Sequence, residues 1–269
     1  MSELRVHIEG IGAWLRGAPD WNTLRALLRG ETDLREDAPS KPAAAALPQA
    51  ERRRAPEAVL LAAEVAGQAC RQANREPSSM PCVFASTHGE LSITDYMCAI
   101  LATAPRELSP TKFHNSVHNA PAGYWTIATH CEHASNAVTG WHASFGAGLL
   151  EAATLVNAEQ TPVLFAAYDT ASSGPLAEMT RTTQPFGAAF VLAPANDSGT
   201  PSIALRLRSG STFDLLPLPP SLGAPAADNP LNAHALAFLH VLAQDSPARL
   251  TLPAASGLLL DMEVGSANR

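Results

Sequence analysis

Residues 142–158, HASFGAGLLEAATLVNA, constrain the fold more than any other stretch of the chain. At helical spacing Phe145, Leu149, Ala152 and Val156 form one stripe, and Ala143, Gly146, Leu150 and Ala153 form the next, with Glu151 as the only charge. A helix that is apolar nearly all round is buried on more than one side. It runs almost directly into 161–167, TPVLFAA, a continuous apolar run of the kind found in strands covered on both faces. A helix buried between layers that feeds such a strand requires a layered α/β architecture.

The rest of the chain supplies the other elements. Residues 4–13 alternate and end in glycines, as a strand entering a turn does. Asp20 caps a helix over 21–29 that Gly30 stops, and Pro56 opens a longer one over 57–74. The Ala- and Pro-rich stretch 38–56 reads as a surface loop. Residues 81–86 read as a buried strand, followed by a polar turn, Thr87 to Glu90, and a helix ending near Pro105. A loop from Ser109 leads to a short helix over 122–129. Strands are expected at 185–192 and 201–207, joined by the turn 196–199. A Pro- and Gly-rich excursion, a helix over 233–244 and short strands at 249–253 and 257–264 complete the chain.

Charge and cysteine usage exclude several roles. With a net charge of −7 and no basic run beyond Arg52-Arg53-Arg54, nucleic acid is not an expected partner. Cys70, Cys82, Cys98 and Cys131 show no CxxC spacing and read as free buried thiols of a reducing compartment. The N-terminus lacks a basic segment ahead of an apolar run, and no stretch of eighteen apolar residues occurs. A cytoplasmic location without a membrane span is therefore expected. Histidines gather in mid-chain, but the spacings His114-x3-His118 and His130-Cys131-x-His133 lack a metal-binding frame, so no metal and no cofactor are expected.

Several segments, in order, resemble the N-terminal half of the β-ketoacyl synthases of the thiolase-like superfamily. Val6-His7-Ile8-Glu9-Gly10-Ile11-Gly12 is similar to the first strand of that family, and WNTLRALLRGET from Trp21 to the helix after it. VHNAPAGYWTI from Val117 resembles the dimer-interface segment. His133-Ala134-Ser135 stands where the family has GPS, and Gln184-Pro185-Phe186-Gly187 with AAFVLAP resembles a later strand segment. The resemblance covers roughly residues 4–208. It implies an α/β, thiolase-like layered fold in its N-terminal half only: a mixed five-stranded sheet with helices on both faces. On that reading 1–208 form the ketoacyl synthase-like domain. Residues 209–269 are an extension of loop, helix and two short strands packed on it.

Two departures bear on function. Seven residues beyond Ser135, where the family carries its acyl-accepting cysteine, stands His142. Acyl transfer in such enzymes needs a thiolate at a helix start, and imidazole there forms no stable acyl-enzyme. Cys131 precedes the strand and is not at that helix start. The family's C-terminal half, with its two assisting histidines, has no counterpart; His234 and His240 stand in no family motif. A half-fold also leaves apolar surface for a large interface.

The resemblance therefore implies no catalytic residue in this chain and a chain-length-factor-like role, as in polyene pathways including the aryl polyene type. The expected partner is an intact cysteine-bearing ketosynthase in a heterodimer, visited transiently by an acyl carrier protein. The implied interface and tunnel-lining residues are Phe113, Val117, His118, Asn119, Ala120, Pro121, Ala122, Tyr124 and Trp125. Two other readings stay open: a stand-alone acyl-binding or scaffold homodimer, and an enzyme acting on acyl thioesters through a histidine.

Overall fold

The computed structural model describes residues 3–172, 174–195, 201–222 and 229–265; the turn expected at 196–199 lies outside them. One sheet of eight strands runs through these residues in the order β3-β2-β4-β5-β1-β6-β8-β7. Its first five members are β1 (Leu4–Leu15), β2 (Cys82–Ala85), β3 (Ser135–Val138), β4 (Val163–Asp169) and β5 (Phe186–Pro194). β2, β3 and β4 are parallel, and β5 returns antiparallel between β4 and β1. The expected five-stranded sheet is thus present but incomplete. β6 (Ser202–Ser209) pairs with β1, and the hairpin of β7 (Ala248–Ala255) and β8 (Leu258–Val264) extends the sheet beyond it.

The central strands have two dry faces. Along β4, Val163, Phe165 and Ala167 join one core cluster while Leu164, Ala166 and Tyr168 join another. The second cluster lies under α3 (Glu57–Ala73) and α6 (Ala120–Thr129). The first holds α1 (Trp21–Leu28), α7 (Ser144–Glu159) and α9 (Pro230–Ala243); α8 (Leu176–Thr180) is a short helix between β4 and β5. Asp20 caps α1 as expected, its Oδ1 accepting from Thr23 N–H at 2.8 Å.

α7 explains its own all-round apolarity. Gly148 faces the sheet, where an added Cβ would lie 2.8 Å from Ala85 Cβ and 2.6 Å from the Phe165 ring. Gly146, on the opposite side of the helix, faces β7, where a Cβ would come 2.1 Å from the Pro253 carbonyl oxygen. The sheet therefore bends far enough for β7, at its end, to cover the outer stripe of a helix that β2 and β4 cover from beneath. α9 shares this layer with all residues buried except Pro230 and His240. Apolar surface expected to await a missing half is thus covered from within by residues after 209. At about 1.5–3 kcal/mol for each large apolar side chain removed from water, this closure is a major part of the stability.

Three other expectations change. The stretch 38–56 is not all surface loop: Ala44 and Leu47 are buried, and 49–54 form a short helix, α2 (Gln49–Arg54). The loop after Ser109 contains α5 (Pro110–His114), whose first turn is capped by Ser109, and α6 starts at Ala120 rather than 122. Cys70, Cys82 and Cys131 are buried free thiols, but Cys98 is exposed because α4 (Leu91–Thr103) leaves most of its surface uncovered.

Candidate functional site

The C-terminal ends of β2, β3 and β4 lie side by side, the place where parallel sheets present ligand-binding groups. After β2 the chain turns through Ser86 to Glu90; after β3 it passes Thr139 and Gly140 into a 3-10 turn, Trp141–Ala143; β4 ends on Asp169. The N-terminus of α9 reaches the same place.

Asp169 organises this corner. Its Oδ1 accepts hydrogen bonds from Ser86 Oγ (2.6 Å), Thr87 N–H (3.0 Å) and His88 N–H (3.4 Å), and its Oδ2 accepts from Asn229 Nδ2 (2.9 Å). Asn229 also donates to Thr182 Oγ1 at 2.9 Å, and its own carbonyl oxygen caps α9 by accepting from Asn232 N–H at 3.1 Å. A wholly buried carboxylate is tolerable only when its lone pairs are engaged in this way. The result locks the β2 turn, the end of β4 and the start of α9 together. Glu90, close by, is a capping residue: its Oε2 accepts from Ala58 N–H (2.9 Å) at the start of α3.

His142 is exposed, at the middle of the 3-10 turn that leads into α7. The residue before it, Trp141, has φ +54°, a left-handed value that a bulky side chain adopts only under constraint. The constraint is Ser144, whose Oγ donates to the Trp141 carbonyl (2.7 Å) and accepts from Gly140 N–H (3.1 Å). The indole meets the His142 and His88 rings edge-on, with centroids 5.1 and 5.2 Å away. Cys131 lies ahead of β3, buried, with its thiol directed at the Met80 carbonyl (3.4 Å), away from this turn.

His234, for which no family motif spoke, is buried on α9 with its ring edge-on to Phe213 at 5.7 Å. Burial, reinforced by repulsion from His142, pulls its pKa down to about 4. Burial, opposed by Asp169 and reinforced by His142, also lowers that of His88. The imidazoles of His88, His142 and His234 therefore share one field at the site. A neutral buried histidine binds its proton more weakly folded than unfolded. Stability is thus complete above an unfolded value near 6.5 and falls as pH drops from there toward 4. The expected loss over that window is up to about 3 kcal/mol, and His234→Leu should flatten the dependence of the melting temperature on pH. An equally steep profile in that variant would contradict the assignment.

The implied interface residues divide by exposure. Phe113, Val117 and Asn119 are exposed, and Tyr124 is partly so, its hydroxyl donating to Asn115 Oδ1 at 3.1 Å. Ala120, Pro121, Ala122 and Trp125 are buried in this chain's own core. His118 ties the segment to the site by donating from Nε2 to the Ser86 carbonyl at 3.0 Å. The helix expected to end near Pro105, α4, drew no functional expectation from the sequence. Only Leu91 and Ile93 of this helix are buried, although Asp95 is its one charge and Met97, Ile100 and Leu101 are apolar. Ser109 N–H donates to the Tyr96 hydroxyl at 3.1 Å and Lys112 sits over the Tyr96 ring, so α4 and α5 are tied to each other. Beside them a groove of about 860 Å³ runs between α2, α5 and α6, bordered by Val117 and Ile127. Among the described residues no group of three His, Cys, Asp or Glu side chains converges as a metal site, and no helix is long and apolar enough to cross a membrane.

Residues 28–254 match the family described as beta-ketoacyl synthase, N-terminal domain. The chain belongs to the β-ketoacyl synthase family. No curated protein matches it. Among solved structures, the ketosynthase ApeO in complex with its chain length factor ApeC from Xenorhabdus doucetiae is similar at 23% identity with a TM-score of 0.70. That match covers 97% of this chain and 99% of the other. The ishigamide ketosynthase/chain length factor is similar at 14% identity with a TM-score of 0.74, over 98% and 100%. AntDE:AntF, a type II polyketide synthase acyl-carrier protein in complex with its ketosynthase, is similar at 11% identity with a TM-score of 0.69, over 99% and 100%. These likenesses establish the fold: the layered, thiolase-like fold of the ketosynthase family, here with eight strands.

Proposed function

We propose that this chain is a non-catalytic, chain-length-factor-like subunit that pairs with a cysteine-bearing ketosynthase and shapes its acyl tunnel during elongation of a polyene or fatty acyl chain in the cytoplasm. The reading rests on His142, which stands in the turn leading into α7 at the count from Ser135 where the family's thiol is expected. Cys131, which lies ahead of β3, is buried with its thiol turned toward Met80.

The α5–α6 region supports a partner. Val117 and Ile127, which border the groove between α2, α5 and α6, are both exposed, Ile127 at 75%, and Phe113 on α5 is exposed too. Apolar side chains left uncovered at a groove fit an interaction surface. The outermost strand, β3, is short and exposed, and its free edge offers backbone N–H and C=O groups to an incoming strand. Among the similar structures, two are ketosynthases with their chain length factors and one is a ketosynthase with its acyl-carrier protein. An acyl carrier protein is accordingly the transient third party.

Co-expression with a cysteine-bearing ketosynthase of the same cells should give a 1:1 complex by size-exclusion chromatography with light scattering. The reading fails if the chain ignores every such partner. Within the complex, His142→Ala should leave turnover within about twofold, since a residue that forms no acyl-enzyme contributes no step. A tenfold drop would instead favour the histidine-based enzyme.

A further inference from the structure

We infer that Trp141 is the specificity-determining residue of this subunit, its indole forming the end wall against which the growing acyl chain stops. The inference rests on the proposed pairing with a ketosynthase and names a residue outside the interface segment 113–125.

Three independent features converge on Trp141. Its backbone is held in the left-handed region, φ +54°, where a side chain of this size is disfavoured and glycine or asparagine is the usual occupant. The conformation does not arise from a loose loop. Ser144, itself buried, clamps both sides of it by bonding Gly140 N–H and the Trp141 carbonyl. A strained residue maintained by its surroundings points to a role for the strain. Here the consequence is orientation: the indole is left 55% exposed instead of packing into the adjacent core.

The exposed ring is also supported. The His88 and His142 imidazoles both meet it edge-on, at 5.2 and 5.1 Å and interplanar angles of 85° and 80°. Edge-to-face packing fixes the orientation of aromatic rings that would otherwise rotate freely. A tryptophan propped in this way presents a rigid apolar plane.

Its location completes the case. Trp141 lies where the parallel strands end, after the exposed strand β3 and immediately before His142. On the proposed pairing, an acyl chain brought across a seam beside this edge would find an exposed apolar plane at the indole. His142, the residue expected to matter from the sequence, acts on this reading as a prop for its neighbour. By contrast, Ala120 and Ala122 of the interface segment are packed in the core of their own chain and present little surface to a substrate.

The test uses the complex with its ketosynthase and compares wild type with Trp141→Gly, Trp141→Phe and Trp141→Ala. Trp141→Gly relieves the left-handed strain while removing the ring, so loss of folding does not confound it. Product length is read by mass spectrometry, and complex formation by size-exclusion chromatography. We expect all variants to form the complex. Trp141→Gly and Trp141→Ala should shift the main product longer by at least one two-carbon unit, with Trp141→Phe between them and wild type. An unchanged product distribution from an intact Trp141→Gly complex overturns the inference and leaves the pairing standing. Failure of the wild-type chain to form any complex overturns the pairing and the inference together.

Discussion

Asp169→Ala is expected to destabilise the protein by about 3–5 kcal/mol, the scale for stripping the partner from a buried, multiply bonded charge. The variant leaves Ser86 Oγ, the amides of Thr87 and His88, and Asn229 Nδ2 without their acceptor, in a place where water does not replace it. For a chain of this size each kcal/mol moves the melting temperature by roughly 2–4 °C, so a fall on the order of 10 °C is expected. Asp169→Asn should cost less. Its single carbonyl oxygen can still serve the β2 turn, while its amide opposes that of Asn229 and forces one of the two to flip. A melting temperature unchanged in the alanine variant would mean that the β2 turn and the start of α9 are held by something else. Because the same carboxylate joins the turn that carries His88 to the helix that carries His234, its loss should also loosen the site before global unfolding. Faster hydrogen exchange at 86–90 and 229–234 than elsewhere in the layer would show this.

Ile127→Arg is expected to weaken the complex with the ketosynthase by about a hundredfold or more, the effect typical of losing a central apolar anchor and desolvating a charge in its place. The side chain is three-quarters exposed in the isolated chain, so the substitution removes almost no packing and the melting temperature of the chain alone should not move. That separation is what makes the variant informative. Ile127 borders the groove between α2, α5 and α6, and α6 lies against the exposed strand β3. An arginine there would sit between two surfaces that both need to be dry. Surface plasmon resonance with the immobilised ketosynthase measures the change, and Phe113→Arg on α5 provides a second point on the same face. Undiminished affinity in both variants would remove this face from the interface.

The elements of the fold were legible because their signals are local. The apolar run in β4, the stripes of α7, the Asp20 cap and the Pro56 start of α3 each depend on residues close in sequence. Legibility ended where an element's character comes from distant neighbours. α2 and α5 are too short for a periodic signal, and α4 looks like a core helix by composition yet lies at the surface. The strand count went wrong for a similar reason. Two short strands were expected at 249–253 and 257–264, but whether they stack elsewhere or continue the sheet past β6 depends on pairing across fifty residues.

The candidate site divides the same way. His142 could be found by counting from Ser135, because the distance from strand to helix start is set by a short loop. Asp169 and Asn229, sixty residues apart, carry no motif, and neither does the approach of His234 to His142. A polar run just after a buried strand, such as Ser86 to Glu90, and a lone carboxylate ending another were the available hints.

By itself the sequence determined that this chain builds a layered α/β domain of ketosynthase type, and it sets His142 at the count where a thiol is expected. The layers follow from side-chain period, the family from the resemblance of successive segments, and the position of His142 from short-range spacing. Only the tertiary structure decided that β7 closes over α7, that α4 remains largely uncovered, and that Trp141 is held exposed with two histidines packed edge-on to it. Those outcomes arise from backbone approaches and hydrogen bonds between segments far apart in the chain, which no window of neighbouring residues contains.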